Sequence, residues 1–341
     1  MSLVVISMAS RFRLCARGPV LWGPMQILTD GVDRVPKGVA TAVSVGAYDG
    51  IHQGHRTVLS TLSNLAIDRG LAAAVVTFDR HPAAVLRPES APLLLTDHEQ
   101  RIDLFTDIGI EYLYLLQFNE QRAATSDREF VADVLVDRMN TKLIVVGSNF
   151  HFGKARSGSV DSLREFGTEM GFEVIGLDLF AEDDAVEPVS STAIRRALAG
   201  GDIAAANAML GRPYEVRGDV VQGDQRGRTI GFPTANIIYE AGRAWPAQGV
   251  YAAWATLPDG RRVPAAINIG LRPTFHQHAE QPLLEAHLID FDQDLYGQNL
   301  RIEFVDFLRS ERRFAGIDEI SEQLKKDVDN ARTVLRAYQR G

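Results

Sequence analysis

The chain has 341 residues, which is enough for two domains of ordinary size. Its 36 basic and 44 acidic side chains give a formal net charge of −8, which argues against a nucleic-acid partner because such proteins usually need a basic face. The single cysteine, Cys15, excludes an internal disulfide framework and fits a reducing, cytoplasmic compartment. No apolar run reaches the ~20 residues that a membrane helix needs, so no membrane association is expected.

Residues 1–24 differ in composition from the rest of the chain. They contain Arg11, Arg13 and Arg17 and no acidic residue. These arginines follow a short apolar run, whereas a signal peptide places its charges before that run. We therefore expect a poorly ordered extension or an overlong start, with Met25 as an alternative first residue.

The first strongly patterned stretch predicts a strand, a glycine-rich turn and the start of a helix. β-Branched residues precede Gly46, as in a buried strand that ends there. After His55, apolar residues recur at helical spacing as far as Gly70, which is placed to end the helix. His52 and His55 are therefore expected at a helix N-terminus, where N–H groups attract anions and Gly54 lets a phosphate approach the backbone.

Two imidazoles at such a terminus suit phosphoryl chemistry that depends on electrostatic stabilisation. An isolated His-x-x-His is by default a pair of loop histidines, because short motifs match by chance. A zinc site is a further alternative, but no cysteine or carboxylate cluster lies nearby to complete it. The strand–turn–helix setting favours a phosphate site formed by His52 and His55.

Strand-like apolar runs alternate with helical stretches as far as residue 178. The strands predicted after the first motif span residues 72–78, 111–117, 142–147 and 172–178, and the helices include 97–108 and 127–139. This alternation predicts a parallel sheet with helices on both faces. Ligands bind such sheets beyond the carboxyl ends of the strands, where the two histidines are expected.

Two further polar segments fall at the same kind of strand end. Asn149 follows the predicted strand 142–147, and taken alone it is a turn residue. Ser191, Thr192 and Arg195 open another helical stretch, where the hydroxyls alone would be simple N-caps.

The pattern changes after Gly211, and alternating strand patterns replace the alternation of strands and helices. The predicted strands span residues 214–221, 249–257, 263–270, 284–291 and 300–307, and a helix is predicted from about residue 318 to residue 338. Several short strands separated by turn signals predict an antiparallel barrel.

The barrel half contains a second candidate constellation. Residues 223–236 are rich in glycine, which lets backbone N–H groups turn towards phosphates, although such a segment is by default a surface turn and is not a Walker loop. Strand alternation puts Glu285 on the same side as His287 and Ile289, in a position to face a ligand. A solvated glutamate on an edge strand is the default alternative.

Four segments together carry a resemblance to a known family. His-x-Gly-His after a strand is the signature of the nucleotidylyltransferase superfamily. The Asn149 segment, Ser-Ser-Thr-x-x-Arg at 190–195 and Gly-Phe-Pro-Thr-Ala-Asn at 231–236 follow in order. In this order they resemble the bacterial bifunctional riboflavin kinase/FAD synthetases. Tyr48 stands where that family commonly has phenylalanine, and Arg80 stands where it commonly has proline.

The resemblance implies an architecture and a pair of reactions. Residues 25–210 would form an α/β nucleotidylyltransferase domain with a Rossmann-like parallel sheet, and residues 211–341 an antiparallel β-barrel riboflavin kinase domain with a C-terminal helix. The barrel would phosphorylate riboflavin to FMN with ATP and Mg²⁺, releasing ADP. The α/β domain would then transfer AMP from ATP to FMN, giving FAD and pyrophosphate.

The resemblance also implies roles for individual residues. His52, His55 and Glu285 would be catalytic, with Glu285 accepting the proton of the riboflavin 5′-hydroxyl, and Thr234 and Asn236 would hold Mg²⁺. The residues expected to bind nucleotide or phosphate are Gly46, Gly54, Asn149, Ser191, Thr192, Arg195, Gly227, Gly231 and Thr234. The residues expected to contact the flavin are Asn268, Arg272 and Arg309.

Two alternatives compete with this interpretation, and the sequence leaves the oligomeric state open. The first is a riboflavin kinase with a decayed adenylyltransferase domain, against which the intact His52, His55, Asn149, Ser191 and Arg195 count. The second is a flavin carrier without turnover, which would not need Thr234, Asn236 or Glu285.

Overall fold

The computed structural model describes residues 24–178, 188–223, 231–271 and 282–339. The expected N-terminal extension, apart from Pro24, lies outside these residues. The predicted ligand contacts of Gly227 and Arg272 lie outside them as well.

Within the described residues, six strands form a parallel sheet in the order β1-β4-β3-β2-β5-β6. These strands are β1 (Gln26–Thr29), β2 (Thr41–Val45), β3 (Ala72–Phe78), β4 (Tyr112–Leu116), β5 (Thr141–Gly147) and β6 (Glu173–Leu177). The predicted parallel sheet is therefore confirmed. The edge strand β1 was not predicted, because it is short and buries only Leu28, which leaves too little alternation to detect.

Helices cover both faces of this sheet, as its strands are apolar on both sides. The helices in this half of the chain are α1 (Gln53–Arg69), α2 (Ala83–Leu86), α3 (His98–Ile108), α4 (Glu120–Ala123), α5 (Asp127–Phe130) with a π-helical continuation (Val131–Arg138), α6 (Val160–Met170), α7 (Ser191–Ala199) and α8 (Ile203–Leu210). Val43 and Val76 pack into the core on one face, while Ala42 and Val75 pack on the other face with α1 and α3. Every helix among the described residues is too short or too polar to span a bilayer.

The second half of the described chain contains a closed antiparallel barrel with the strand order β10-β11-β8-β7-β12-β9. Its elements are β7 (Tyr214–Val221), β8 (Ala235–Ile238), β9 (Gly249–Thr256), β10 (Arg262–Leu271), β11 (Pro282–Leu288), β12 (Asn299–Arg309) and the final helix α9 (Ile317–Tyr338). The barrel and its helix are confirmed. The strand predicted to reach residue 291 ends at Leu288, before Asp290 takes a left-handed backbone conformation with φ of 59°.

The α/β unit and the barrel share an apolar core. Ile194, Leu198 and Leu210 of α7 and α8 belong to the same buried cluster as Ile267 and Leu284 from the barrel interior. These two helices therefore pack against the barrel although they precede its first strand. Burial of this shared surface fixes the position of the sheet relative to the barrel.

Helix α9 is held against the outside of the barrel by a buried ion pair. Asp327 is 2% exposed and accepts hydrogen bonds from Nε of Arg309 at 2.9 Å and Nη2 of Arg309 at 2.6 Å. Gln323 Nε2 donates to the same carboxylate at 2.8 Å. An exposed pair between Arg332 and Asp290 also joins α9 to the barrel.

These two pairs should differ in their contribution to stability. Asp327→Ala leaves the Arg309 guanidinium, which is 22% exposed, without its carboxylate, and should lower the free energy of unfolding by about 3 kcal/mol. Arg332→Ala removes a pair whose carboxylate is 68% exposed and should cost much less, because water already screens the two charges. Urea unfolding of both variants measures the difference, and equal losses would contradict this account of the buried pair.

Candidate active sites

The first site is built on the turn between β2 and α1. His52 is the N-cap of α1, and its Nδ1 accepts the backbone N–H of His55 at 3.4 Å. The two imidazole rings stack with their centroids 3.7 Å apart and their planes 17° from parallel. Because Nδ1 of His52 is the acceptor, its proton lies on Nε2, where it is available to a ligand. The predicted placement of both histidines at a helix N-terminus is confirmed.

Both imidazoles are neutral at pH 7 in the free protein. Burial lowers the pKa of His52 to about 4, an effect that Asp49 partly opposes and that Arg212 reinforces. Burial also lowers the pKa of His55, and His52 lowers it further. Neutral imidazoles act as hydrogen-bond donors, and a bound polyphosphate would raise both pKa values towards their ordinary range.

A buried carboxylate, Asp49, connects this turn to two other segments. Its oxygens accept the backbone N–H groups of Leu95, at 2.9 and 3.1 Å, and of Thr96, at 3.2 Å. Arg195 forms an ion pair with the same carboxylate, and Ser191 donates its hydroxyl to the Asp49 carbonyl at 2.9 Å. The predicted residues Ser191 and Arg195 are therefore brought to the histidine turn by Asp49, which sequence reasoning did not single out.

Further arginine and histidine side chains lie near this carboxylate. Arg101 donates to the Phe78 carbonyl at 3.3 Å, and its buried Nε has no hydrogen-bond partner among the described residues. His81, whose pKa is lowered chiefly by burial, lies close enough to Asp49 and Arg195 for both to influence its titration. The two arginines, Arg101 and Arg195, outnumber the one carboxylate, and this excess of positive charge suits a polyphosphate ligand.

The remaining predicted residues of this site occupy simpler positions. Gly46 ends the strand motif, where a Cβ would lie 3.0 Å from the Tyr48 ring. Gly54 lies in the first turn of α1, and Thr192 is exposed in the first turn of α7. Asn149 is exposed in the turn after β5, at the edge of the sheet where the carboxyl ends of the strands meet. Their ligand contacts stay predictions.

The second site is a row of polar side chains across three neighbouring strands of the barrel. Glu285 of β11 is paired in register with Asn236 of β8 on one side and with Asn268 of β10 on the other. The flanking residues Leu284 and Ala286 lie in the barrel core, so the row is on the outer face. Directly opposite residues in a sheet have Cβ atoms about 5 Å apart, and the three polar groups are therefore neighbours.

Glycine and histidine residues hold this row in place. A Cβ on Gly223 would lie 1.9 Å from Nδ2 of Asn236, so that only glycine leaves room for this amide. His287 Nδ1 lies 2.8 Å from the Pro233 carbonyl oxygen, and its ring meets the Phe232 ring edge-on at 5.4 Å. His287 thus holds the segment that leads to Thr234. The sequence predicted only that His287 shares a strand face with Glu285.

A cavity of about 480 Å³ opens beside Thr234. It lies between barrel residues and the loop that follows β11, with Thr234, Ala286, Leu288, Phe291, Asp292 and Tyr296 in its lining. Its volume is in the range of small-molecule sites. Gly231, which was predicted to bind nucleotide, lies two residues before Pro233 of the cavity lining and has φ of 83°, a conformation that favours glycine.

Two of the residues predicted to contact the flavin, Asn268 and Arg309, are described by the structure, and they bond to different carboxylates. Asn268 donates to Glu311 at 3.5 Å, and a Cβ on Gly270 would lie 2.6 Å from the same carboxylate oxygen. The Glu311 carboxylate therefore lies close to β10 beside the polar row, in the segment 309–314 that resembles family segments near the flavin. The Arg309 guanidinium is bonded to Asp327, and its flavin contact stays a prediction.

Both halves of the chain match known families. The FAD synthetase family model matches residues 36–193, and the riboflavin kinase family model matches residues 210–335. The bifunctional riboflavin kinase/FMN adenylyltransferase of Bacillus subtilis is 38% identical over 294 residues, covering 85% of this chain and 91% of that protein. The Escherichia coli K12 protein of the same name is 36% identical over 290 residues, with the same two shares.

The chain belongs to the bifunctional riboflavin kinase/FMN adenylyltransferase family. It is also similar to a Streptococcus pneumoniae crystal structure named as a macrolide-efflux protein, with a TM-score of 0.80, 31% identity and coverage of 90% of this chain and 98% of that one. The histidine turn lies in the segment that matches FAD synthetases, and the polar row lies in the segment that matches riboflavin kinases.

The neutral histidines should make stability depend on pH. Between pH 6.5 and about 4, the unfolded chain binds a proton at His52 that the folded chain excludes, so the free energy of unfolding falls as the pH falls. His52→Gln combined with His55→Gln should reduce this slope by up to about 1.4 kcal/mol per pH unit for each histidine. Unfolding across this range measures it, with the exposed His98→Gln as control. An unchanged slope in the double variant would contradict the neutral assignment.

Proposed function

We propose that this protein makes FAD from riboflavin in two consecutive transfers from ATP. Riboflavin is phosphorylated to FMN on the barrel, and FMN is adenylylated at the α/β unit. The observation that supports this is that each matched segment holds its own polar cluster, the His52–His55 pair in one and the Asn236–Glu285–Asn268 row in the other. The partners are riboflavin, FMN, FAD, ATP, ADP and pyrophosphate, and the single cysteine suits a cytoplasmic location.

In the adenylyl transfer, an oxygen of the FMN phosphate attacks the α-phosphorus of ATP. A new P–O bond forms, the bond from the α-phosphorus to the bridging oxygen breaks, and pyrophosphate leaves with that electron pair. The attacking phosphate is already ionised at neutral pH and needs no general base. The chain therefore has to stabilise charge and orient the two reactants.

The residues of the histidine turn suit this task. The Nε2–H of His52, His55 and the N-terminus of α1 can stabilise the charge that develops on the α-phosphate oxygens. The Arg195 guanidinium keeps N–H groups for the departing pyrophosphate, beside the hydroxyl of Thr192. We assign Asn149, Ser191 and the backbone at Gly46 and Gly54 to positioning of this substrate pair.

In the phosphoryl transfer, the riboflavin 5′-hydroxyl oxygen attacks the γ-phosphorus of ATP and ADP leaves. Glu285 accepts the hydroxyl proton as the new P–O bond forms. Its neighbours Asn236 and Asn268 carry no proton-accepting charge, which leaves Glu285 as the base of the row. We assign the cavity beside Thr234 to ATP, and Asn268 with Arg272 and Arg309 to the flavin.

The donor set around Thr234 fits Mg²⁺. Thr234 and Asn236 offer neutral oxygen atoms, and the close approach of Gly223 fixes the Asn236 amide. Within the described part of the chain, no cluster of three or more His, Cys, Asp or Glu side chains could hold a metal by itself. A cation here would thus share its coordination with nucleotide phosphates, whose charge it would neutralise during transfer.

The two alternatives receive less support. A kinase with a decayed partner domain is not favoured, because the FAD synthetase model matches residues 36–193 and the histidine pair, Ser191 and Arg195 meet at one turn. A flavin carrier does not require a carboxylate placed between two amides on a strand face. Incubation with riboflavin, ATP and Mg²⁺ distinguishes them, since FAD, FMN alone or no product would be found.

Loss of either histidine should affect only the second transfer. His52→Ala and His55→Ala should each lower FAD formation from FMN by about tenfold to a thousandfold, the scale of losing one transition-state donor. FMN formation should stay near that of the unchanged chain. Separation of FMN and FAD after timed reactions measures both, with His98→Ala as the exposed control. FAD formation that persists in both variants would mean that these are ordinary loop histidines.

Loss of the basic carboxylate should affect only the first transfer. Glu285→Gln keeps the shape of the side chain but removes the proton acceptor, and should slow riboflavin phosphorylation by about two to four orders of magnitude. Supplied riboflavin should then give little FAD, whereas supplied FMN should give a normal amount.

Glu303→Gln is the matched control, because Glu303 also lies on the barrel surface, in a strand whose neighbouring residues are in the core. Equal losses with both flavins in Glu285→Gln would indicate a general role in folding. Full retention with riboflavin would place the base elsewhere.

A further inference from the structure

The turn that carries the two histidines has a strained backbone. Tyr48, Gly50 and Ile51 all lie in the left-handed region, with φ of 48°, 82° and 38°. A β-branched residue such as Ile51 rarely adopts this conformation, which persists only where the surroundings over-determine it. Asp49 and its bonds to Leu95 and Thr96 hold one side of the turn.

Arg212 holds the other side. Its Nη2 donates to the Gly50 carbonyl at 2.6 Å, and its Nη1 donates to the Ile51 carbonyl at 3.1 Å. The planar guanidinium thus spans two successive carbonyls, one of them belonging to the residue directly before His52. Nη1 also lies 3.5 Å from the carbonyl of Leu210, at the end of α8.

Arg212 comes from the segment that begins the barrel. It lies two residues before Tyr214, the first residue of β7, and within the segment that matches riboflavin kinases. Two contacts seat the end of α8 and this segment against the start of α1. Gln53 Nε2 donates to the Ala208 carbonyl at 2.7 Å, and a Cβ on Gly211 would lie 3.2 Å from Cγ of Gln53.

The charge of Arg212 is retained in this position. Burial, with Arg56 nearby, lowers its pKa to about 10, while Glu215 opposes the shift. The guanidinium therefore stays cationic at neutral pH, next to the site where polyphosphate charge is expected. Its two hydrogen bonds hold the carbonyl oxygens of Gly50 and Ile51 in defined directions, whereas apolar packing is not directional.

We propose that Arg212 is a positioning residue for adenylyl transfer, by which the segment that starts the kinase barrel holds the strained turn bearing His52 and His55. This inference rests on the assignment of adenylyl transfer to that turn. Relaxation of Ile51 out of its strained conformation would move the N-cap and both imidazoles. Even a shift of about 1 Å in such groups costs about a hundredfold in rate.

The test compares Arg212→Ala and Arg212→Lys with Arg217→Ala in the full chain. Arg217 also joins the barrel to the α/β unit, through a 2.7 Å ion pair with Asp103, but it bonds to nothing in the histidine turn. Arg212→Ala should lower kcat for FAD formation from FMN by about tenfold to a hundredfold, with KM values for ATP and FMN little changed. Riboflavin phosphorylation and the melting temperature should stay close to those of Arg217→Ala.

Arg212→Lys keeps the charge but reaches only one of the two carbonyls, and should show a smaller loss of about threefold to tenfold in the same kcat. If Arg212→Ala fails to fold, as judged by lost kinase activity, the lysine variant decides alone. Unchanged FAD formation in the lysine variant would then overturn the proposal. Equal losses of both activities in Arg212→Lys, or a loss in Arg217→Ala as large as in Arg212→Ala, would also overturn it.

His55→Ala, assayed in parallel, distinguishes a failure of the positioning role of Arg212 from a failure of the assignment of adenylyl transfer to the histidine turn. If FAD formation is lost in His55→Ala and normal in Arg212→Ala, only the positioning role fails. If FAD formation is normal in His55→Ala, the assignment of the turn to adenylyl transfer fails first.

Discussion

The turn between β2 and α1 depends on one buried carboxylate. Asp49 is 5% exposed, and its oxygens take backbone N–H groups from Leu95 and Thr96 and the guanidinium of Arg195. Burial of a charge is costly unless charge-assisted hydrogen bonds replace its hydration. Because the partners of Asp49 come from two distant segments, the carboxylate sets where the loop before α3 and the helix α7 lie relative to the histidine pair. The site is assembled around this one group.

The loop before α3 also connects the α/β unit to the barrel. Leu94 accepts the N–H of Ala244 at 2.8 Å and donates its own to the Gly242 carbonyl at 2.7 Å. The buried Arg243 donates to the Leu95 carbonyl at 3.0 Å. One extended segment is therefore bonded to Asp49 of the histidine turn on one edge and to the barrel on the other. With the apolar core that α7 and α8 share with the barrel, these bonds make the two catalytic units a single packed body.

The two sites meet different chemical demands with different electrostatics. The histidine turn surrounds one carboxylate with arginines and keeps two imidazoles neutral by burial, which suits the stabilisation of developing phosphate charge. The barrel places Glu285 on a strand face between two amides, which suits acceptance of a proton. Because the two clusters lie on different elements, the charge and burial around the histidines can differ from those around Glu285.

The sequence by itself determined the parallel sheet and the barrel and supplied the candidate site residues, because periodicity and short motifs are local properties of the chain. It placed His52 and His55 at a helix start and Glu285 on one face of a strand, and the structure agrees. It did not single out Asp49, Arg212 or Arg243. Their roles come from bonds to partners between 46 and 162 positions away along the chain. Only the tertiary structure brings such residues together, because burial and long-range hydrogen bonding depend on how the two units pack.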